Sequence, residues 1–340
     1  MKFKKCILAG MVMLCACVCF AQTLKIASIA PARSVWDIEA NKLAQNWYNL
    51  TNGKVQMKLM NATAMGGEIG VIQKLNAVRP GQKAPIDGAV FTNIGIADLV
   101  PDVHIMTLCA PFLFRDQAEV DFVYETIKPL IQSELSKKGY VFLGTFSVGW
   151  AYFYTKKPVH TPTDLKTQKL SVAGLGLSTL SDSFKEAGFN TIDIAPDKLL
   201  QSVKTPGGAE GFYTIPLYAY AGQYYKSLPY ILNAPICPVI ATFIINKTVW
   251  ESFSESERKI LLDAVKVAEE NFVKEQQNTD AEYLNLCVQG GCTLVTLTPE
   301  EYRVMEETLS NDAYAMAKTG LMDVDLFSKI KEALKKHRGE

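Results

Sequence analysis

The sequence has few of the residue types on which most enzymes and metal sites depend. Only three of its 340 residues are histidines, and they stand far apart at positions 104, 160 and 337. The chain contains neither Gly-x-Ser-x-Gly nor His-Glu-x-x-His, and Gly174-Leu-Gly176 lacks the third glycine of a dinucleotide-binding loop. These absences predict a protein that is not an enzyme and uses no cofactor or metal, although scattered carboxylates and histidines could still meet in space.

An excess of charge of either sign is also missing. Lysine and arginine together number 35, as do aspartate and glutamate. The first 21 residues hold three of the lysines and no acid, so the rest of the chain carries 32 basic and 35 acidic residues. This near balance predicts no nucleic-acid partner and no affinity for an anionic membrane. With 48% hydrophobic and 21% charged residues, the composition is that of a globular protein.

Long hydrophobic runs are absent after the first 21 residues, and residues 1–21 have the pattern of a signal peptide. Lysines at positions 2, 4 and 5 precede an apolar run over 6–20, which is short for a membrane span. Cys19 and Ala21 are small residues at the positions that signal peptidase needs for a cut before residue 22. This pattern predicts an exported, periplasmic protein.

Lipoprotein processing is the alternative at the same segment. Residues 14–17 form a loose lipobox in which Cys17 would be acylated. The first predicted strand begins almost at once after this segment and leaves little tether, which favours simple cleavage. Acylation of Cys17 predicts a lipid-anchored protein. Simple cleavage and acylation both predict export.

Beyond this segment only four cysteines remain: Cys109, Cys237, Cys287 and Cys292. Their spacing fits no metal site. A Cys287–Cys292 disulfide is one possibility in an oxidising compartment. The other is that all four are buried thiols at packed positions.

Strand and helix patterns alternate in the first third of the chain. The predicted elements are strands at 24–30, 54–60 and 86–91, helices at 34–51 and 67–78, and a turn at 79–81. This βαβαβ order is typical of a mostly parallel sheet covered by helices.

The remaining elements include one unusually long helix. The predictions are helices at 117–138, 177–187, 299–309 and 324–337 and strands at 140–146, 238–246 and 293–297. The long helix is predicted from Ser254, which forms a capping box with Glu257, to about Gln289. The helices at 299–309 and 324–337 are expected to pack on the outside.

The most informative stretch is 146–174, which has the pattern of strand, polar turn and strand. Trp150, Tyr152 and Tyr154 share one face because side chains alternate along a strand. Lys157-Pro158 ends the first run, and the residues from Thr161 to Asp164 offer a turn or a short helix start. The second run is Lys169-Leu-Ser-Val.

This layout resembles the middle of the DctP-type solute-binding proteins of tripartite ATP-independent periplasmic (TRAP) transporters. Members read Gly-Phe-Arg, Lys-Pro, Thr-Pro-x-Asp-Leu and then Leu-Lys-Ile-Arg. Other matches to family elements are Thr51-Asn-Gly-Lys-Val55, Met65-Gly-Gly-Glu68, Pro111-Phe-Leu-Phe114 and Glu210-Gly211. The frame is kept, but Ala151 and Ser171 stand where the family places its two carboxylate-binding arginines.

The resemblance implies a fold of the α/β class, like the periplasmic binding proteins, in which two lobes close on a ligand. Hinge strands would cross between the lobes near residues 146 and 234, and the long helix would span both. The expected lobe I is 22–146 plus about 234–270, and lobe II is 147–233 plus about 271–340. No segment of the chain is expected to bind ATP.

The missing arginines predict an unusual ligand. A buried carboxylate needs a matched cation, for which arginine is the usual choice. Because aromatic residues surround Ala151 and Ser171, an apolar or amphipathic small molecule is favoured over a small organic acid. The alternative is that the aromatics are core residues and that another cation, such as Lys169, holds an acid. The candidate ligand-binding residues are Glu68, Phe91, Asn93, Trp150, Ala151, Tyr152, Ser171, Phe212, Tyr213 and Thr214.

The partners that the resemblance implies are the small-molecule ligand, the subunits of an ion-gradient-driven TRAP membrane permease and, more distantly, a tetratricopeptide-repeat protein. Two other function classes remain open. One is an exported binding or scaffold protein without a transport role, and the other is a secreted hydrolase.

Overall fold

A computed structural model describes residues 22–77, 84–172 and 178–340. The predicted signal peptide with Cys17 and Cys19, the predicted turn at 79–81, and the glycines at 174 and 176 lie outside the described residues. Among the residues that the structure describes, no helix is both long enough and apolar enough to cross a membrane.

Nine strands are described. They are β1 (Gln22–Ser28), β2 (Val55–Asn61), β3 (Gly88–Thr92), β4 (Tyr140–Thr155), β5 (Leu170–Ser171), β6 (Gly211–Thr214), β7 (Tyr230–Leu232), β8 (Cys237–Asn246) and β9 (Thr293–Val295). They are hydrogen-bonded in the order β2-β1-β3-β8-β4-β6-β5, with β7 pairing to both β4 and β9.

The helices of the described part cover the sheet. They are α1 (Val35–Leu50), α2 (Gly67–Asn76), α3 (Asn93–Leu99), α4 (Gln117–Lys137), α5 (Pro162–Thr167), α6 (Ser178–Glu186), α7 (Leu199–Lys204), α8 (Pro216–Ala221), α9 (Lys247–Glu251), α10 (Glu255–Gln276), α11 (Thr279–Gln289), α12 (Pro299–Ala317) and α13 (Val324–Arg338). The α/β class expected from the sequence is therefore confirmed.

The predicted βαβαβ unit at the start of the chain is present. β1 pairs in parallel with β2 on one side and with β3 on the other. α1 begins at the start of the helix predicted at 34–51, where the Ser34 hydroxyl accepts a hydrogen bond from the Asp37 amide at 3.2 Å. Its Trp47 indole donates to the Leu261 carbonyl of α10 at 3.1 Å, which anchors the two helices on the same face of the sheet.

Strand β4 connects the two halves of the sheet. From Tyr140 to Ala151 it pairs antiparallel with β8, and from Tyr152 to Thr155 it pairs with β6. A register shift between Ser147 and Gly149 lies just before this change of partner. β4 is thus one of the crossing strands that the resemblance implies near residue 146.

The second expected crossing, near residue 234, lies beside the first. The Ile236 amide donates to the Ala151 carbonyl at 2.9 Å, and the Ile236 carbonyl accepts from Phe112 at 2.9 Å. The chain therefore returns from β7 to β8 alongside β4. The lobe boundaries drawn from these two crossings remain a prediction.

The long helix differs from its prediction in continuity. The capping box between Ser254 and Glu257 is present, but α10 ends at Gln276 and α11 begins at Thr279. The prediction of one continuous helix to Gln289 is therefore wrong at Gln277 and Asn278. Both sides of the break are held by β4, since the Gln276 side chain donates to the Val148 carbonyl at 2.9 Å and Asp280 accepts from the Trp150 amide at 2.7 Å.

The last two helices contribute apolar side chains to the core. α12 is longer than predicted and buries Met305 and Leu309, while α13 buries Phe327 and Leu334, all within the largest apolar core cluster. α12 packs against α5 and α6, and α13 packs against α4. Both helices therefore form an outer layer, as predicted, and each packs on the core through an apolar stripe.

Candidate functional site

An apolar cavity lies where the chain crosses between the two halves of the sheet. It has a volume of about 70 Å³. Its walls come from the end of β3 and start of α3, the start of β8, the middle of β4, and the segment joining β6 to α8. This location is typical of ligand sites in open α/β sheets, where strand ends of two units face each other.

Four of the ten candidate residues line this cavity. They are Asn93, Ala151, Tyr213 and Thr214. The structure brings them together from three separate segments, namely α3, β4 and β6, which supplies two successive residues. Their role in ligand binding remains a prediction, since the structure contains no ligand.

Asn93 is anchored rather than free. Its side-chain oxygen accepts from the Ile240 amide of β8 at 2.7 Å, and its Nδ2 donates to the Cys109 sulfur at 3.3 Å. The residue is buried at the first position of α3. Asn93 therefore fixes α3 and β8 to each other and forms a rigid part of the cavity wall.

The aromatic hydroxyls in the wall stay protonated. Burial, with the neighbouring thiols of Cys237 and Cys109, raises the pKa of Tyr213 well above its usual range. Burial also raises the pKa of Tyr218, and the Glu68 carboxylate raises it further. Both side chains can therefore offer a neutral hydroxyl to a ligand but no charge.

Glu68 lies behind the cavity wall instead of lining it. It accepts hydrogen bonds from the amide and hydroxyl of Thr92 at 2.5 and 2.7 Å and from the Gly95 amide at 3.1 Å. Burial raises its pKa, and these three donors oppose that shift. Glu68 thus holds the N-terminus of α3, as expected for a carboxylate at a helix start.

The other five candidate residues also lie outside the lining of the cavity. Phe91 is fully buried beneath α3. Tyr152 and Phe212 belong to a separate apolar cluster on the β6 side, and Trp150 packs at the edge of that cluster. Burial raises the pKa of Tyr152 to about 12. Ser171 is buried in β5, beside Phe212 of β6, and its hydroxyl has no hydrogen-bond partner among the described residues.

The sequence prediction missed most of the apolar wall. The additional lining residues include Ile29, Trp36, Met106, Cys109, Cys237 and Val239. They come from loops and strand ends far apart in the chain, so no single motif contains them. Two sequence features could have indicated some of these residues: Cys109 lies two residues before the Pro111-Phe-Leu-Phe114 element, and Cys237 and Val239 lie at the start of the buried strand predicted at 238–246.

The described lining residues of the cavity include no Asp, Glu, His, Lys or Arg. Ala151 stands in the wall itself, at one of the two positions where the resemblance places an arginine. Lys169, the alternative cation, points elsewhere, since its ammonium group donates to the Gly207 carbonyl at 2.8 Å. No group of three or more His, Cys, Asp or Glu side chains able to hold a metal occurs in the described part of the chain.

The fold is of the α/β periplasmic-binding-protein class, and the cavity lies beside its crossing strands. A family model described as bacterial extracellular solute-binding protein, family 7 (DctP), matches residues 26–319. The chain belongs to this family.

Individual relatives are distant in sequence. A solute-binding protein of Roseobacter denitrificans (strain ATCC 33942 / OCh 114) is 20% identical over 255 residues, covering 74% of this chain and 75% of the relative. This distance leaves room for a different ligand.

Solved structures share the fold. A TRAP periplasmic solute-binding protein from Ralstonia eutropha H16, with bound (S)-2-acetolactate, is 21% identical with a TM-score of 0.78, covering 92% of this chain and 99% of that one. A sugar acid binding protein from Advenella mimigardefordensis strain DPN7T, in complex with galactonate, is 18% identical with a TM-score of 0.80. The match covers 93% of this chain and 98% of that one. These likenesses confirm the fold expected from the resemblance.

Proposed function

We propose that this protein is an exported receptor that captures an apolar or amphipathic small molecule between its lobes and delivers it to a TRAP membrane permease. The observation that carries the proposal is the uncharged wall of the cavity at the crossing strands. The resemblance places one cation at Ala151, which lines that wall, and another at Ser171, which lies in the neighbouring β5. A carboxylate held there without a cation would be buried unpaired, at a cost of several kcal/mol.

The cavity size constrains how the ligand enters. A volume of about 70 Å³ accommodates only a few non-hydrogen atoms, whereas sites for drug-sized ligands usually occupy about 300–1,000 Å³. A larger ligand therefore requires the lobes to move apart, and β4 with the neighbouring return strand is the natural hinge. Apolar walls favour binding through the hydrophobic effect once the cleft closes.

An organic-acid receptor is the second candidate. The two solved structures named above hold acetolactate and galactonate, which are both carboxylates. For this chain to do the same, a cation outside the described lining residues would have to reach the ligand. Lys169 would first have to leave the Gly207 carbonyl.

Export to the periplasm is part of the proposal. It rests on the pattern of residues 1–21. Labelling cells with a palmitate analogue tests it: the protein should stay unlabelled and begin near Gln22. Labelling that disappears in Cys17→Ser would establish the lipid-anchored alternative instead.

Native mass spectrometry of protein purified from its own cells tests the ligand class. Extraction should release a compound that is neutral or amphipathic. Recovery of a small carboxylate as the bound species would favour the second candidate. Loss of solute uptake on deletion would separate a transport receptor from an exported binding protein without a transport role.

A further inference from the structure

Two cysteines that are far apart in the chain meet in the wall of the cavity. Cys109 ends the turn before the Pro111-Phe-Leu-Phe114 element, and Cys237 is the first residue of β8. Both line the cavity, and neither is in a disulfide. The Cys109 sulfur lies 3.8 Å from the carbonyl oxygen of Pro238, the neighbour of Cys237, and the Cys109 thiol is close enough to Cys237 to perturb its pKa.

We propose that Cys109 and Cys237 form a reversible disulfide in the cavity wall and that this modification switches the shape and polarity of the ligand site. The oxidant is a protein or small-molecule disulfide, acting by thiol–disulfide exchange. The proposal depends on the proposed export only for the presence of this oxidant, because the compartments that receive exported proteins are oxidising. The disulfide is not needed for ligand binding itself.

The exchange balances in two steps. The Cys109 thiolate attacks one sulfur of the oxidant, forming a mixed disulfide and releasing one thiolate that takes up the proton lost by Cys109. The Cys237 thiolate then attacks the Cys109 sulfur, forms the new S–S bond and releases the second oxidant thiolate, which takes up the second proton. The two cysteines lose two electrons and two protons, and the oxidant becomes two thiols.

The order of attack follows from burial. Cys109 is partly exposed, whereas Cys237 is fully buried. The neighbouring Cys109 thiol and burial together raise the pKa of Cys237 well above its usual range, so Cys237 reacts poorly with an external oxidant. Cys109 is therefore the entry thiol and Cys237 the resolving thiol.

The position of the link gives it a mechanical consequence. The chain between residues 109 and 237 contains α4, β4 and all of β5, β6 and β7. A disulfide would tie together the two ends of this large segment beside the crossing strands. It should raise the melting temperature, because closing a long loop restrains the unfolded chain.

A mapping experiment on the purified full chain tests the proposal. The folded protein is incubated with oxidised glutathione, free thiols are alkylated, and the digest is searched for linked peptides. The Cys109–Cys237 peptide pair should appear with the loss of two hydrogen masses, and dithiothreitol should remove it. Absence of that pair, under conditions in which the unfolded chain does oxidise, would overturn the proposal.

The second thiol pair is the matched control. Cys287 and Cys292 are also neighbours, with the Cys292 amide donating to the Cys287 carbonyl at 3.0 Å, but they lie in the apolar cluster away from the cavity. Cys287→Ser should keep the Cys109–Cys237 link, and Cys109→Ser should abolish it. A Cys287–Cys292 link formed in its place would contradict the assignment.

Trp36 gives a readout that does not depend on ligand identity or on peptide mapping. Its side chain lines the same cavity. Oxidation should change tryptophan fluorescence in the wild type and in Cys287→Ser, and the change should vanish in Trp36→Phe. If the fluorescence change persists in Trp36→Phe, the link does not alter the cavity. If the disulfide proposal fails, the proposed ligand class is not affected. The ligand class is tested separately, by calorimetry on the reduced protein.

Discussion

The carboxylate of Asp280 accepts a hydrogen bond from the backbone amide of Trp150 at 2.7 Å, where β4 changes partner between the two halves of the sheet. The neighbouring Gly149 has a φ of +129°, and a Cβ there would lie 2.5 Å from the second oxygen of Asp280. With the bond from Gln276 to the Val148 carbonyl, this contact ties the break between α10 and α11 to the crossing strand. These contacts therefore join β4 to the ends of both helices at this point.

Neutralising Asp280 should make stability less dependent on pH. Burial raises the pKa of Asp280 from 3.8 to about 6, so the folded state binds this proton more tightly than the unfolded chain does. Protonation of Asp280 therefore stabilises the folded state: this contribution is complete below about pH 4 and is lost as pH rises through 6. Asp280→Asn should raise the free energy of unfolding at pH 7.5 by on the order of 2 kcal/mol and have little effect at pH 4.

Denaturant titrations at both pH values measure this effect. The control is Glu282→Gln on the same helix, an exposed carboxylate that should change nothing. Equal shifts for Asp280→Asn at both pH values would rule out the protonation mechanism.

Removing Arg338 should destabilise the protein strongly. Its guanidinium contacts both oxygens of Glu119, at 2.6 and 2.7 Å, and donates to the Leu113 carbonyl at 3.2 Å. Only 6% of the Glu119 side chain is exposed, so Arg338→Ala leaves a buried charge without its partner. We expect a loss of about 2–4 kcal/mol in the free energy of unfolding.

The pH dependence of the same pair has the opposite sign to that of Asp280. Arg338 lowers the pKa of Glu119. The ionised Glu119 therefore stabilises the folded state above the ordinary glutamate pKa, and this contribution is lost as pH falls through the lowered pKa of Glu119. Arg303→Ala is the control, because its partners Glu300 and Glu307 are exposed and should contribute little. Equal melting temperatures for the two variants would contradict the prediction.

The middle of α10 should be among the most slowly exchanging parts of the chain. Ala264, Val265 and Ala268 are buried against α1 and β4. Hydrogen exchange should therefore be slow over 260–272 and faster at the break at 277–278. Fast exchange through 260–272 would show that α10 does not support both halves of the sheet.

Restoring a cation should shift ligand preference. Ser171→Arg puts a charge at a buried position of β5, so binding of an apolar ligand should weaken by about tenfold or more. Ser171→Met adds similar length without charge and separates the effect of charge from that of size. The comparison is made by calorimetry, and equal losses in the two variants would show that size alone matters.

Much of the fold could be predicted from the sequence because its signals are local. Ser34, Thr161 and Ser254 cap helices where their spacing to Asp37, Asp164 and Glu257 indicated. The break at Gln277 and Asn278 was not predictable in this way, since neither residue is glycine or proline. It coincides with contacts from Gln276 and Asp280 to a strand more than a hundred residues earlier.

The cavity could be predicted only in part for the same reason. Ala151 and Tyr213 lie in strands whose patterns resemble family elements, so they could be proposed directly. Trp36 and Met106 reach the cavity through loop and helix packing that has no sequence motif. Trp150 and Tyr152 were proposed from their shared aromatic face, and they pack against the β6 side instead.

Calorimetry of the delipidated protein tests the central claim most directly. The reduced wild type is titrated with two ligand classes: small dicarboxylates, keto acids and sugar acids in one, and long-chain or aromatic amphipathic compounds in the other. The uncharged wall around Ala151 predicts that only the second class binds and that it raises the melting temperature. Micromolar binding of a simple carboxylate, with none of the apolar compounds bound, would contradict the proposal and make this protein an organic-acid receptor.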